Sequence, residues 1–393
     1  MTRRIVFVDD EPNILEALQR MLRPLRAEWD MVFTGGGEEA LAVMAERPTD
    51  VLITDMRMPG MDGDELLAAV RDRYPHTVRM VLTGQCGKGA VIRLIPLAHR
   101  ILTKPFDADR LRNILTRTRS LRNLLSNPAL IAVIGHLGGL PAVSAVHARV
   151  LAELDDPDVS LSDVAEIVAE DVGLVTKLMH MANSALFGLR QPVTSPMKAV
   201  QVLGVEMTRA TVLATRVLDR YDPRKLLPYS IENLWPHSIR TAKVAGMISQ
   251  REGGGERSSD AALAGLLHDV GRLILADRRA DDYREVLRLT TTEGLSVVHA
   301  EFRVFGATHA EVGAYLLGLW GLPESVVEAV AWHHSPSHCP AAAFTSLTAV
   351  HVAEAVLGAE ECAALDRDYL DRIKVGDRIE TWTTLAAETG SAT

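Results

Sequence analysis

The sequence predicts two folds in series, an α/β domain built on a parallel sheet and then an all-helical domain. Three observations predict them. Short apolar runs at residues 5–8, 51–54, 80–82 and 101–102 recur between helix-like stretches, the pattern of buried parallel strands. Each run leads into a polar side chain: the Asp9-Asp10 pair, Asp55, Thr83 and Lys104. After residue 128 strand patterns give way to amphipathic helices broken by glycine and proline.

The order of the polar residues carries the chemistry of the first domain. In a parallel sheet the carboxyl ends of the strands gather along one edge, and ligands bind there. Three carboxylates, a hydroxyl and an ammonium group would meet at that edge, an inventory suited to holding a divalent cation beside a phosphorylated carboxylate. A single Asp after a strand is ordinarily a turn former, and it is the joint order and spacing that point to chemistry.

This stretch resembles the receiver domain of two-component response regulators over about its first 120 residues. The motifs are VDD (Val8 to Asp10), TDMRMPGMDG (Thr54 to Gly63), LTG (Leu82 to Gly84) and KPF (Lys104 to Phe106). The resemblance implies a flavodoxin-like, five-stranded parallel sheet. It implies that Asp55 accepts a phosphoryl group from a sensor histidine kinase or phosphotransfer protein. It further implies that Asp10, Asp55 and the backbone carbonyl of Arg57 hold Mg²⁺, with Asp9 acting through water. That donor set suits a small, hard cation that keeps several waters. Lys104 would pair with the phosphoryl oxygens, and the Thr83 hydroxyl would move to them. One position departs from the family: the aromatic switch residue expected three positions before the lysine is Ile101, so the usual relay from threonine to aromatic ring is not expected in its ordinary form.

Length and composition fit a multidomain protein of the reducing cytoplasm. The 393 residues exceed what one core serves, so two or three domains are expected. The 47% hydrophobic content is enough for large helical cores. The N-terminus runs directly into a strand, so no apolar signal segment is expected, and no apolar run reaches membrane-spanning length. Three scattered cysteines, Cys86, Cys339 and Cys362, suit free thiols better than a disulfide framework. A net charge of −9 works against binding to nucleic acid or anionic membranes.

Residues 107–126 read as one helix, with Leu111, Ile114, Leu115, Leu121, Leu124 and Leu125 forming a stripe beside five arginines. The favoured reading is the last helix of the α/β domain with a solvated basic face; a signalling helix or homodimer seam is the alternative. Asn127-Pro128 ends it. Further on, Ser160 caps a helix with Asp163 three residues later, and a second helix follows the turn at Asp171. That pair superficially resembles a helix-turn-helix. Its second helix offers a groove little beyond Lys177, His180 and Asn183, so direct DNA binding is not expected. Gly253-Gly254-Gly255 lacks the lysine and hydroxyl of a phosphate-binding loop.

The helical region resembles the HDOD family, a branch of the HD superfamily, over roughly residues 130–350. The matching motifs are Gly139-Leu140-Pro141, Ala182 to Gly188, VQVLG (Val200 to Gly204), Leu234 to Ser238, AGLLHDVG (Ala264 to Gly271), His309 to Gly313, Trp320 to Pro323 and His333-His334. The resemblance implies an all-helical bacterial output module, usually regarded as non-catalytic and acting through a protein partner.

The histidines support a second reading. His237, His268, Asp269, His309, His333 and His334 follow the order of metal-dependent HD phosphohydrolases, including cyclic dinucleotide phosphodiesterases. Helices presenting His and Asp to one interior can bind iron, manganese or zinc, and an adjacent buried imidazole and carboxylate need partners. Three departures weaken the likeness. The closing Asp of the pattern falls at Glu354, the expected lysine is Arg272, which cannot act as an acid near neutral pH, and no GYP segment follows His334. Thr308 and Glu311 form a capping box, so Glu311 reads as a cap rather than a base.

The chain thus reads as a receiver (residues 1–127), an HDOD output domain (128–360) and a helical tail of unknown role (361–393). Its rival is a receiver-gated, metal-dependent phosphohydrolase.

Overall fold

The computed structural model describes residues 3–83, 94, 97–104, 109, 111–116, 118, 130, 131, 134, 145–154, 156, 159–182, 193–220, 223–227, 234–253, 257–320, 322–340, 342–358 and 365–390. Several sequence motifs lie wholly or partly outside the described residues: Gly84, Cys86, Pro105-Phe106, most of 107–128, Gly139 to Pro141, Asn183 to Gly188, Gly254-Gly255 and Cys362. The chain divides into two compact units, one over residues 1–152 with 319–321 and the other over 153–318 with 322–393.

The first unit holds a five-stranded, all-parallel sheet in the order β2-β1-β3-β4-β5. The strands are β1 (Arg3–Val8), β2 (Trp29–Thr34), β3 (Val51–Asp55), β4 (Val78–Thr83) and β5 (Arg100–Thr103). Helices α1 (Pro12–Met21), α2 (Gly37–Glu46) and α3 (Gly63–Arg73) connect the first four. All four predicted runs are strands. β2 is an edge strand whose middle four residues are half-buried, which blurs the apolar pattern that marks the central strands. Burial on both faces explains the continuous apolar reading of β1 and β3: Ile5, Val6, Phe7, Val51 and Leu52 are fully buried. Among the described residues after the sheet, Leu111, Ile114 and Leu115 are helical and buried, as the predicted stripe requires.

The strand order places the functional edge. The chain leaves β1 for β2 on one side and crosses to β3 on the other, so the order reverses between β1 and β3. A crevice opens at the carboxyl end of such a switch point. Asp9 follows β1 and Asp55 ends β3, one on each side of it.

The second unit is helical. Helix α4 (Ala145–Leu154) spans the division at residue 152. The helices described after it are α5 (Leu161–Ala169), α6 (Val172–Ala182), α7 (Pro196–Arg220), α8 (Leu234–Arg251), α9 (Arg257–Leu267), α10 (Val270–Arg278), α11 (Ala280–Glu293), α12 (Val297–Phe305), α13 (His309–Leu319), α14 (Glu324–Trp332), α15 (Ser346–Leu357), α16 (Arg367–Arg372) and α17 (Ile379–Gly390). Ser160 caps α5 as its sequence context predicts, the Asp163 amide donating to its side chain, and Asp171, read from sequence as a turn, accepts from the Leu174 amide at the start of α6. α7 kinks at Gly204, whose positive φ of 69° glycine alone adopts without strain. The core lies where α8, α9, α14 and α15 pack together.

Gly63 yields a test of this arrangement. Alanine ordinarily favours a helix over glycine by about 1 kcal/mol. Here a Cβ would lie 2.2 Å from the backbone oxygen of Asp55. Gly63→Ala is therefore expected to destabilise the α/β unit by about 1–3 kcal/mol, as overpacking does, read as a lower midpoint in urea denaturation.

Candidate functional site

Among the described residues, each unit holds a cluster of chemistry-bearing side chains. In the first, Lys104 follows β5 and reaches across the carboxyl edge of the sheet. Its ammonium donates to Asp9 Oδ2 at 2.8 Å and Asp55 Oδ1 at 2.5 Å. Burial opposes charge on Lys104, but its bonds to Asp55 and Asp9 outweigh that effect and hold its pKa above the ordinary lysine value. The other oxygens are also engaged: the Glu11 amide donates to Asp9 Oδ1 and the Arg57 amide to Asp55 Oδ2, at 3.0 and 2.9 Å. Asp9 is buried and Asp10 exposed. Thr83 ends β4 and pairs with Thr103 of β5, and Ile101 pairs with Val81 in the same register; the side chains of Thr83 and Ile101 lie outside the described set.

Two carboxylates share one ammonium group here, leaving an excess negative charge lined with oxygen donors. Those residues fit a small, hard divalent cation. Pro59, Asp62 and Asp64 border an open cavity of about 380 Å³ with Met56, Arg57 and Met58, beside Asp55.

The second cluster is buried where five helical segments meet. His237 comes from α8, His268 and Asp269 from the α9–α10 junction, His309 from the start of α13, His333 and His334 from the end of α14, and Glu354 from α15. All six residues of the sequence reading converge, and Glu354, proposed for the closing acid, joins them. Its Oε1 lies 2.7 Å from His237 Nε2 and 3.2 Å from His268 Nε2, and Thr241 donates to it at 3.0 Å. The latter His268 contact is close but not aligned as a hydrogen bond.

Two glycines permit the convergence. A Cβ on Gly265 would lie 2.8 Å from Ala242 Cα, so glycine lets α9 press against α8. A Cβ on Gly271 would lie 2.0 Å from the His309 carbonyl oxygen, so glycine also brings the His268-Asp269 pair to α13. The glycines of AGLLHDVG are thus spacers that the histidines require.

The imidazoles share one orientation. His268 Nδ1 donates to the Gly265 carbonyl at 2.7 Å and His333 Nδ1 to the Val330 carbonyl at 2.8 Å. A carbonyl can only accept, so both rings carry a proton on Nδ1. His309 Nδ1 lies 2.7 Å from the buried carboxylate of Glu301. Each ring therefore turns Nε2 inward. Among the described residues, the buried Nε2 atoms of His268 and His333 have no hydrogen-bond partner. His309 Nε2 faces Asp269 Oδ1 at 3.0 Å and His334 Nε2 at 3.1 Å. A lone pair facing a carboxylate at that distance calls for a proton or a metal cation.

The electrostatics reflect the same demand. Burial opposes charge on His268 and His309, but neighbouring carboxylates prevail: Asp269 and Glu354 hold His268 well above the ordinary histidine range, and Glu301 and Asp269 raise His309 to about 9. Burial and the two charged neighbours push His333 down to about 3, and His334 falls well below its ordinary value for similar reasons. Burial disfavours charge on Asp269 and Glu354 too, yet His268 leads the groups that hold both well below the usual carboxylate range. Asp269, His309, His333 and His334 form one set able to ligate a metal, and His237, His268 and Asp269 another. Buried unpartnered Nε2 atoms beside carboxylates fit a borderline transition metal.

Glu301 was not anticipated from sequence. It accepts from the backbone amide and ring of His309, both at 2.7 Å, and from the Tyr283 hydroxyl at 3.4 Å. Its signal is faint: an acid beside Ala300 on the apolar face of a short helix. The capping box was anticipated, and Glu311 Oε2 does accept from the Thr308 amide at 2.7 Å.

Residues 140–336 match the family model for the HDOD domain, just over half of the chain, and residues 5–116 match that for the response regulator receiver domain. The chain belongs to the HDOD family. It joins that domain to an N-terminal receiver. An uncharacterized protein of Treponema pallidum is 25% identical over 232 residues, covering 58% of this HDOD protein and 43% of the relative. Response regulator protein FleR of Pseudomonas aeruginosa is 34% identical over 121 residues, 30% of this chain and 24% of FleR. The chain thus spans less than half the length of these curated relatives. A solved structure from Shewanella amazonensis, described as a presumptive phosphohydrolase, has 20% identity and a TM-score of 0.50, covering 67% of this chain and 94% of that one; it shows a shared fold. Among the described residues, no helix is long and apolar enough to cross a membrane.

Removing Glu301 tests the histidine orientation. Glu301→Ala strips the acceptor from a buried imidazolium and a buried amide. It is expected to cost about 3–5 kcal/mol, the scale for breaking a buried ion pair from one side, measured by chemical denaturation of metal-free protein.

Proposed function

We propose that this chain is a response regulator in which Asp55 is the phosphoacceptor and the HDOD domain passes the signal to a protein partner. The receiver makes its regulation phosphorylation-dependent. The observation that carries the residue assignment is the bridge from Lys104 to both Asp9 and Asp55 at the switch point of the sheet. An Asp55 oxygen attacks the phosphorus of a phosphohistidine on a sensor kinase or phosphotransfer protein. The P–N bond breaks, an acyl phosphate forms, and the imidazole leaves with a proton. Asp10, Asp55 and the Arg57 carbonyl would hold Mg²⁺, Asp9 acting through water, and that ion would neutralise phosphoryl charge. Lys104 would transfer its bond from the Asp55 carboxylate to a phosphoryl oxygen, and the Thr83 hydroxyl would approach the same group. Positioning and charge compensation are what such a transfer asks of a protein. The acidic net charge works against DNA as the partner.

The common inward orientation of His268, His309 and His333 favours a second reading, in which the HDOD domain holds iron, manganese or zinc. His237, His268, Asp269, His309, His333, His334 and Glu354 would supply the ligands. Such a metal would contribute Lewis acidity, the requirement of an HD-type phosphohydrolase.

Each reading has its own measurement. Wild-type protein given a small acyl-phosphate donor and Mg²⁺ should incorporate one acid-stable but hydroxylamine-labile phosphoryl group, and Asp55→Asn none; equal labelling of both would remove Asp55 from the role. Mass-spectrometric metal analysis should find near-stoichiometric iron, manganese or zinc that disappears in His268→Ala/Asp269→Ala. No retained metal after reconstitution would make the histidines structural.

A further inference from the structure

The loop that carries His333 and His334 is held from outside the stretch that matches the HDOD family. That stretch ends at residue 336. Four contacts tie residues 333–339 to α16 and the residue before it. The Ser337 hydroxyl donates to Asp366 Oδ2 at 2.6 Å. Arg372 straddles the same turn, donating to the carbonyls of Ser337 and Cys339 at 3.1 Å each. A third link passes through His351 on α15. Its Nδ1 donates to the His333 carbonyl at 2.8 Å, so its Nε2 is an acceptor, and the Asp366 amide donates to it at 2.9 Å.

The anchor is itself fixed. Asp366 caps α16 by accepting from the Tyr369 amide at 2.9 Å, and the buried Tyr369 hydroxyl meets Thr348 at 2.7 Å. Arg372 also lies over the Tyr369 ring, 5.4 Å from its centre. Further along, Trp382 is fully buried and donates to Glu252 at 3.0 Å, while Arg378 pairs with the other oxygen of that carboxylate. The tail is therefore a docked element with a polar seam directed at one turn.

We propose that residues 366–372 form a clamp that positions the His333-His334 turn against His268 and His309. Arg372 and Ser337 are positioning residues, and His351 transmits the hold to the His333 backbone. The consequence for metal affinity rests on the second reading above; the positioning itself does not. Ligand orientation from outside the first coordination sphere commonly changes metal affinity about 10–100-fold.

Full-length Ser337→Ala/Arg372→Ala removes the three side-chain bonds at exposed positions and leaves the Asp366 cap intact. Amide hydrogen exchange and Zn²⁺ titration should be read beside the wild type, with thermal melting as the control for folding. Exchange should quicken over residues 333–340 and stay unchanged over α13, and the Zn²⁺ affinity should weaken by about 10–100-fold at an unchanged melting temperature. His351→Leu, which cuts the remaining link, should show the same exchange pattern. Unchanged exchange in both variants would overturn the clamp, as would quicker exchange with unaltered Zn²⁺ affinity. If wild-type protein takes up no Zn²⁺, the metal reading fails alone, and the exchange result still decides the clamp.

Discussion

A buried carboxylate must meet a positive charge inside the fold, because burying it alone would cost several kcal/mol. Both functional regions of this chain are arranged around that constraint. In the receiver, Asp9 and Asp55 come from neighbouring parallel strands and are brought together by sheet register, and the compensating ammonium arrives from beyond β5. In the HDOD domain, Asp269 sits at the junction of α9 and α10 and is met by His268, His309 and Arg272. The helical segments are tied to this point by contacts between the carboxylates of Asp269 and Glu354 and the imidazoles of His237, His268 and His309.

The two sites differ in how they tolerate change. The receiver edge is open, with Lys104 partly exposed and Asp10 solvated, so water and a phosphoryl donor can enter and charge can be redistributed. The HDOD cluster is closed, with His268, Asp269, His309 and Glu301 almost fully buried. An open acidic edge suits a reversible covalent mark. A closed cluster suits either a resident ion or a permanent internal tie among helices.

The same difference governs how far the sequence could be read. The receiver residues each stand at a strand end, where an apolar run stops, so spacing alone marks Asp9, Asp55, Thr83 and Lys104. The edge strand β2 is only half-buried, and no comparable run announces it. In the helical domain the ligand-like histidines were legible because His-Asp and His-His doublets are conspicuous in apolar surroundings. Glu301 was not, since a lone acid among the apolar positions of a short helix names no partner in the sequence. The tail was equally opaque. Its short helix α16 is mostly charged, and the buried Tyr369 and Leu370 occupy adjacent positions that set no helical period.

Arg272 shows how a departure from a motif can be absorbed by the surrounding structure. A lysine there would be a point charge on a flexible stem, whereas the guanidinium is a planar fork. One arm reaches Asp269 at 3.3 Å, and Nε donates to the Tyr283 hydroxyl at 3.2 Å. Tyr283 donates in turn to Glu301, Glu301 accepts from His309, and His309 faces Asp269 again. The five residues close a ring, and a single ammonium is less suited to span both of its neighbours within it. Glu354 is absorbed in a comparable way. Its longer side chain sets one oxygen between His237 and His268 while also accepting from Thr241. Both substitutions therefore preserve the convergence of imidazoles while changing the groups around it. What they alter is proton chemistry: Arg272 cannot release a proton near neutrality, so it brings charge and hydrogen bonds to this cluster without serving as its acid.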